Sequence, residues 1–226
     1  MSVLRTLAVV AVLAAAVFTA PSAGAVTTIQ TLSFSVSPAK SGSVKKPRGA
    51  SLNVIGTTRN SDGTQAPTMT TLDLYFPKQF RFRTRDFPTC PQKVMDRQGP
   101  QFCPRGSRVG DGAASVLAGP LREELRVTAF NGPQQQLLLF LTGDKPISVS
   151  QALAGKLSPS SGKFGYHLLF KVPNNFQQPA PGLMASVTRL QVHVSASIRK
   201  HGRKLNYIET TGCPKGGLWP FLGKFT

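Results

Sequence analysis

Three arginines spaced two apart, Arg81, Arg83 and Arg85, speak most directly of chemistry. In an extended chain they share one side while Phe80 and Phe82 take the other, so guanidinium groups recur at about 7 Å, two strand rises. Guanidinium pairs bidentately with phosphate and carboxylate, and a row of this kind suits an anionic polymer. The plainer alternative is an edge strand blunted by charge against aggregation. A second cluster, Arg199, Lys200, His201, Arg203 and Lys204, reads as the tip of a hairpin and offers the same two options.

Signals for catalysis are sparse. Neither G-x-S-x-G nor H-E-x-x-H occurs. S-x-x-K begins at Ser37, Ser43 and Ser160, but the partner motifs S-D-N and K-T-G are missing. A glycosidase needs two carboxylates at a set separation. Asp111, Glu123, Glu124, Asp144 and Glu209 are the acids to hand, and no spacing brings two of them together. His167 and His193 fall in strand-like runs, where a lone histidine is ordinarily structural. A binding role is favoured over an enzyme, and no cofactor is implied.

The elements that must position these residues read as strands. Leu32, Phe34 and Val36 alternate with polar neighbours, and so do Leu72, Leu74 and Phe76. Leu190 to Ile198 predicts one nine-residue strand. Further strands are expected over 51–57, 124–130, 135–141, 147–153 and 164–172. Within these, the continuous apolar run 137–141 predicts a central strand covered on both faces. Turn signals such as Asp62-Gly63 and Asn131-Gly132-Pro133 separate them, and convincing helical periodicity is absent after the first 25 residues. Antiparallel strands with one solvated face usually close against a second sheet. The expected fold is therefore all-β, an antiparallel β-sandwich of Ig-like or jelly-roll-like kind, forming one domain over 26–226.

The start of the chain reads as a secretory signal over 1–25. Arg5 gives a positive n-region, Leu7 to Phe18 is apolar or small, and Ala23-Gly24-Ala25 fits cleavage after Ala25. That run is about a dozen residues, whereas a membrane span needs about 20. Export would place the product outside the cytoplasm, secreted or associated with the cell envelope. There thiols oxidise, so the three cysteines, Cys90, Cys103 and Cys213, should give one bridge. Cys90 and Cys103 bracket one short polar loop and are the expected pair, although Cys213 is open to either partner. No C-x-x-C occurs and no histidine lies near a cysteine, which argues against a metal site.

The chain carries 27 Lys plus Arg against 9 Asp plus Glu, a formal +18. Loss of Arg5 with the signal would leave +17. A field of that sign gathers anions. The partner expected is an anionic cell-wall polymer or membrane surface; export argues against intracellular nucleic acid, and no protein partner is indicated.

Three short signatures remain: Phe87-Pro88-Thr89-Cys90, Cys103-Pro104-Arg105-Gly106-Ser107-Arg108-Val109-Gly110-Asp111-Gly112, and Cys213-Pro214-Lys215-Gly216-Gly217-Leu218-Trp219. In these the chain resembles a group of secreted β-rich proteins of high-GC Gram-positive bacteria. The resemblance implies an exported β-domain and a structural role for the cysteines, and it implies no activity. On the residues themselves, Gly106, Gly110 and Gly112 are expected to permit positive φ. The functional expectation is a non-catalytic, cell-envelope-associated module contacting anionic polymers. The alternatives are a polysaccharide hydrolase of sandwich fold and a structural or protein-interaction subunit.

Overall fold

A computed structural model describes residues 25–226, so all of the expected signal except Ala25 lies outside the described residues. The strands β1 (Thr28–Ser37), β2 (Arg48–Asn60), β3 (Thr71–Pro77) and β4 (Phe80–Phe82) come first. A short helix, α1 (Gln92–Gln98), precedes β5 (Arg108–Ala118), β6 (Leu121–Gly132), β7 (Gln136–Gly143), β8 (Val149–Pro159) and β9 (Phe164–Lys171). After the one-turn α2 (Asn174–Gln177) follow β10 (Ala185–Val194), β11 (Ser197–Lys200), β12 (Arg203–Asn206), β13 (Ile208–Thr210) and β14 (Leu222–Phe225). Among the described residues no helix is long and apolar enough to cross a membrane.

The fold is an all-β antiparallel sandwich whose two layers belong to one sheet. Twelve strands run in the order β14-β3-β9-β8-β7-β6-β5-β10-β2-β13-β4, with β1 also on β2. One edge of β2 is divided between β13 at Arg48–Ala50 and β10 at Leu52–Thr57, and the other takes β1 at Ser51–Asn60. The sheet folds over until β1 meets β14: Phe34 stacks on Phe221 with ring centroids 4.4 Å apart. Phe221 also meets Phe76 and Phe80 edge-on, which closes that side with aromatic packing in place of a hydrogen-bond ladder.

Alternation in sequence becomes the inner face. Leu72, Leu74 and Phe76 of β3, Leu125 and Val127 of β6, and Val192 and Val194 of β10 all enter one buried cluster. The run 137–141 is covered on both faces, as its continuity predicts. Leu139 belongs to the interior, while Leu138 and Phe140 face outward beneath α1, in a second cluster with Cys90 and Met95. The bridge joins Cys90 to Cys103, and Cys213 is free and exposed.

Two expectations are corrected. The nine-residue strand 190–198 is broken at Ser195 and Ala196, because β10 ends its pairing with β2 and β5 at Val194 and β11 leaves to pair with β12. Gly106 does have positive φ, at 87°, but Gly110 and Gly112 do not. They lie within β5 because β10 runs too close for a side chain. A Cβ on Gly112 would stand 1.9 Å from the Gln191 carbonyl oxygen, and one on Gly110 would stand 2.2 Å from that of His193.

Candidate functional site

Between the layers lies a cavity of about 260 Å³. Its walls follow from strand parity. Ala114 and Val116 of β5, Leu125 of β6, Leu141 of β7, Leu153 of β8 and Val187 of β10 all turn inward around it. A smaller apolar space of about 60 Å³ adjoins it, and Leu72, Leu139, Phe170 and Leu190 line both. The two spaces lie on either side of these shared walls, the smaller one reaching Phe76 and Tyr207.

The open end arises from the ladder. β8 pairs with β9 only from Gly155 to Pro159, so its first half has no strand partner on that side. Helix α1 satisfies part of that free edge: Asp96 Oδ1 accepts the Ala152 N–H at 2.9 Å, and Gln92 Nε2 donates to the Ala152 carbonyl at 2.9 Å. Across the gap lies α2, whose Phe176 lines the cavity and whose Asn175 side chain donates to Gln151 Oε1. Gln151, Asn175 and Gln178 are exposed, which marks the outer end of the cavity as its polar rim.

One acid faces this apolar space. Glu123 is 5% exposed, and its Oε2 accepts the Ile147 N–H at 3.0 Å. No donor among the described residues reaches Oε1. The other acids considered for catalysis are scattered. Glu124 points to the opposite face and accepts the Ser115 hydroxyl, and Asp111 pairs with Arg108 at the surface. Asp144 is exposed, and Glu209 is buried against Arg83.

The arginine row takes a different form from the one expected. β4 ends at Phe82, so the extended run that would align Arg81, Arg83 and Arg85 stops short. Arg81 is half-buried beside Glu209 in the ladder, and Arg85 is exposed in a turn. Arg83 reaches two carboxylates, with Nε 2.9 Å from Glu209 Oε2 and Nη1 3.2 Å from Asp86 Oδ2. Burial pulls the Arg83 guanidinium down, and its bonds to Glu209 and Asp86 more than offset this and hold it above its ordinary value.

The second basic cluster does sit on a hairpin. His201 and Gly202, both with positive φ, turn β11 into β12 in the manner of a type I′ loop. Arg199 stands opposite Lys204, and Lys200 opposite Arg203, all four exposed. Lys200 Nζ lies 3.8 Å from Asp86 Oδ1, so Asp86 draws the two basic segments together.

On the outer face His167 Nδ1 lies 2.9 Å from Asp73 Oδ1, with Tyr75 stacked on the ring and Ser158 opposite in the ladder. No hydrogen bond among the described residues joins Ser158 to His167. The surrounding strands also commit backbone N–H groups to their ladders, which leaves this face poorly equipped to stabilise an oxyanion.

The cavity escaped the sequence reading, although a signal was present. In Leu121-Arg122-Glu123-Glu124-Leu125-Arg126-Val127, parity places Glu123 among apolar residues on the inward side. Comparison of the chain with protein families, with curated proteins and with solved structures finds no match.

Proposed function

We propose that the protein is a non-catalytic binding protein of the extracytoplasmic space that holds an apolar or amphipathic small molecule inside its β-sandwich. The observation that carries this reading is the 260 Å³ hollow, walled by aliphatic side chains and rimmed by Gln151, Asn175 and Gln178. Magnitude decides between packing defect and site. An enclosed, unfilled core forgoes about 24 cal/mol per Å³, so about 6 kcal/mol is the upper bound for a hollow of this size, which opens to solvent at its rim. Net domain stability is only about 5–15 kcal/mol, which makes such a hollow costly unless a ligand fills it. A cavity of about 150 Å³ already accommodates benzene, so this one suits a larger molecule. The disulfide and the expected signal support the location.

The test is calorimetric titration of the protein with medium-chain amphiphiles, alongside a Val116→Phe variant that grows a ring into the cavity. Saturable one-to-one binding that is lost in the folded variant, with a ligand-dependent rise in Tm for wild type alone, supports the reading. Equal binding by both proteins would place the ligand elsewhere and sink it.

A second reading rests on a separate observation. Like charges directly opposite across a ladder are destabilising, yet the β11–β12 tip carries two such pairs. We infer that this tip contacts an anionic envelope polymer or membrane surface, consistent with the net charge. Co-sedimentation with anionic liposomes and cell walls across a salt series tests it. Replacing Arg199, Lys200, Arg203 and Lys204 with Ala should weaken binding by roughly fivefold per charge, at about 1 kcal/mol each. Unchanged binding would refute a role for the tip.

A further inference from the structure

We propose that Glu123 is the polar anchor of the cavity, and that the ligand is an apolar molecule carrying a hydrogen-bond donor, a hydroxyl or an amine, in preference to a carboxylate. The inference rests on the cavity reading above and adds the ligand's chemistry to it.

Three features converge on this carboxyl group. The first is its place: β6 parity turns Glu123 into the interior, where Leu125, Leu141 and Val149 are its companions in the cavity wall. The second is its bonding. Oε2 is held by the Ile147 N–H at 3.0 Å, which fixes the group, while Oε1 is buried with no donor of the protein in reach. Buried polar atoms are nearly always satisfied, and an acceptor left open in an apolar site is a defect unless something donates to it. The third is the space made for it. Gly143 on the neighbouring β7 has no side chain, and a Cβ there would stand 2.5 Å from Glu123 Oε1 and 2.5 Å from Leu125 Cδ2. The bare backbone at this position leaves room for the carboxyl group.

Ligand chemistry follows from the acceptor. Oε1 lies closed off against Gly143, so a hydroxyl or amine at the head of an alkyl chain donates to it once the carboxyl turns into the cavity, while the chain runs along the aliphatic walls toward Leu139 and Phe170. A fatty-acid carboxylate would set acceptor against acceptor at the same point. The donor requirement also discriminates strongly. A site with a buried polar group rejects an analogue that leaves that group unpaired far better than it rejects one of the wrong length.

The experiment uses the whole protein and four probes of similar length: decanol, decylamine, decyl methyl ether and decanoate. Decanol and decylamine should bind at least tenfold more tightly than the methyl ether, which has no donor, and decanoate should bind most weakly. Glu123→Gln can keep its bond from Ile147 N–H through the amide oxygen and turn an NH₂ donor toward the cavity. In that variant decylamine should lose at least tenfold and decanoate should gain, an inversion that a purely structural role would not produce. Glu123→Met, which removes both polar atoms, guards against a Gln variant that fails to fold; it should bind decanol and the ether alike. If wild type binds decanol and its ether equally, or decanoate as tightly as decylamine, the anchor is overturned and the apolar cavity reading stands. If none of the four binds, both are overturned.

Discussion

The hydroxyl of Tyr207 donates to Asn131 Oδ1 at 3.2 Å, and both side chains are buried. Through this contact β13's approach is tied to the loop ahead of α1. Asn131 Nδ2 lies within hydrogen-bonding distance of the carbonyls of Thr84, Phe87 and Pro88, at 2.9, 3.2 and 3.1 Å. The Asn131 backbone also accepts the Cys90 N–H and donates to Ser107. One fully buried amide thus organises the two signature segments around Cys90 and Ser107. Asn131→Ala should destabilise the protein by about 3 kcal/mol or more, since several buried carbonyls lose their donor together. Tyr207→Phe should cost about 1–2 kcal/mol by leaving one acceptor unpaired. Urea midpoints for both variants check the order, and equal costs would show that Asn131 is no hub.

Alkaline pH should expose the same contact. Burial pushes the Tyr207 phenol far above its ordinary value. The unfolded chain therefore releases this proton from about pH 10 upward while the folded chain keeps it. Its contribution to stability is complete below that pH and falls as pH rises toward the folded value. Thermal melts between pH 8 and 11 should show this decline in wild type, and Tyr207→Phe should flatten it. An identical slope in the variant would assign the alkaline loss to other groups.

Arg83 and Arg85, alike in sequence, should behave differently. Removing Arg83 leaves Glu209 buried without its partner, a change that costs about 3–5 kcal/mol when an ion pair is fully enclosed. Arg83 is itself partly exposed, so about 2 kcal/mol is expected for Arg83→Ala. Arg85→Ala, at an exposed turn, should fall within about 0.5 kcal/mol of wild type. Denaturant melts of the two variants decide it, and equal values would return Arg83 to the surface role suggested by its spacing.

Loss of the Cys90–Cys103 bridge should cost about 3 kcal/mol, as expected for a loop with a sequence separation of 13. A paired Cys90→Ser, Cys103→Ser variant should melt well below wild type under oxidising conditions and match wild type assayed with reductant. A variant that melts with oxidised wild type would show that the bridge contributes nothing.

Strands with a bulky inner face were legible in sequence. Leu32, Phe34 and Val36, or Leu72, Leu74 and Phe76, announce both strand and direction through alternation alone. β5 was not, because Gly110, Gly112, Ala113 and Ala114 show no contrast between faces; the closeness of β10 demands small residues there. α1 is too short to display a helical period, and only the folded chain shows that Met95 and the Cys90 bridge lie over Leu138 and Phe140. The basic tip was visible as a run of like residues. The cavity itself was not, since a hollow is a property of how layers separate; parity in β6 marked only an acid, Glu123, on the inward side.

The contact of Asp96 and Gln92 with the backbone of Ala152 has a further consequence for the life of the folded chain. These two side chains take up hydrogen-bonding groups at the one stretch of β8 that no strand covers. A bare strand edge is a template on which another chain can grow. Helix α1 therefore covers part of such an edge, and the bridge from Cys90 to Cys103 spans the segment that carries it. Reductive cleavage would do more than soften the fold: it would loosen the element that covers the Ala152 backbone.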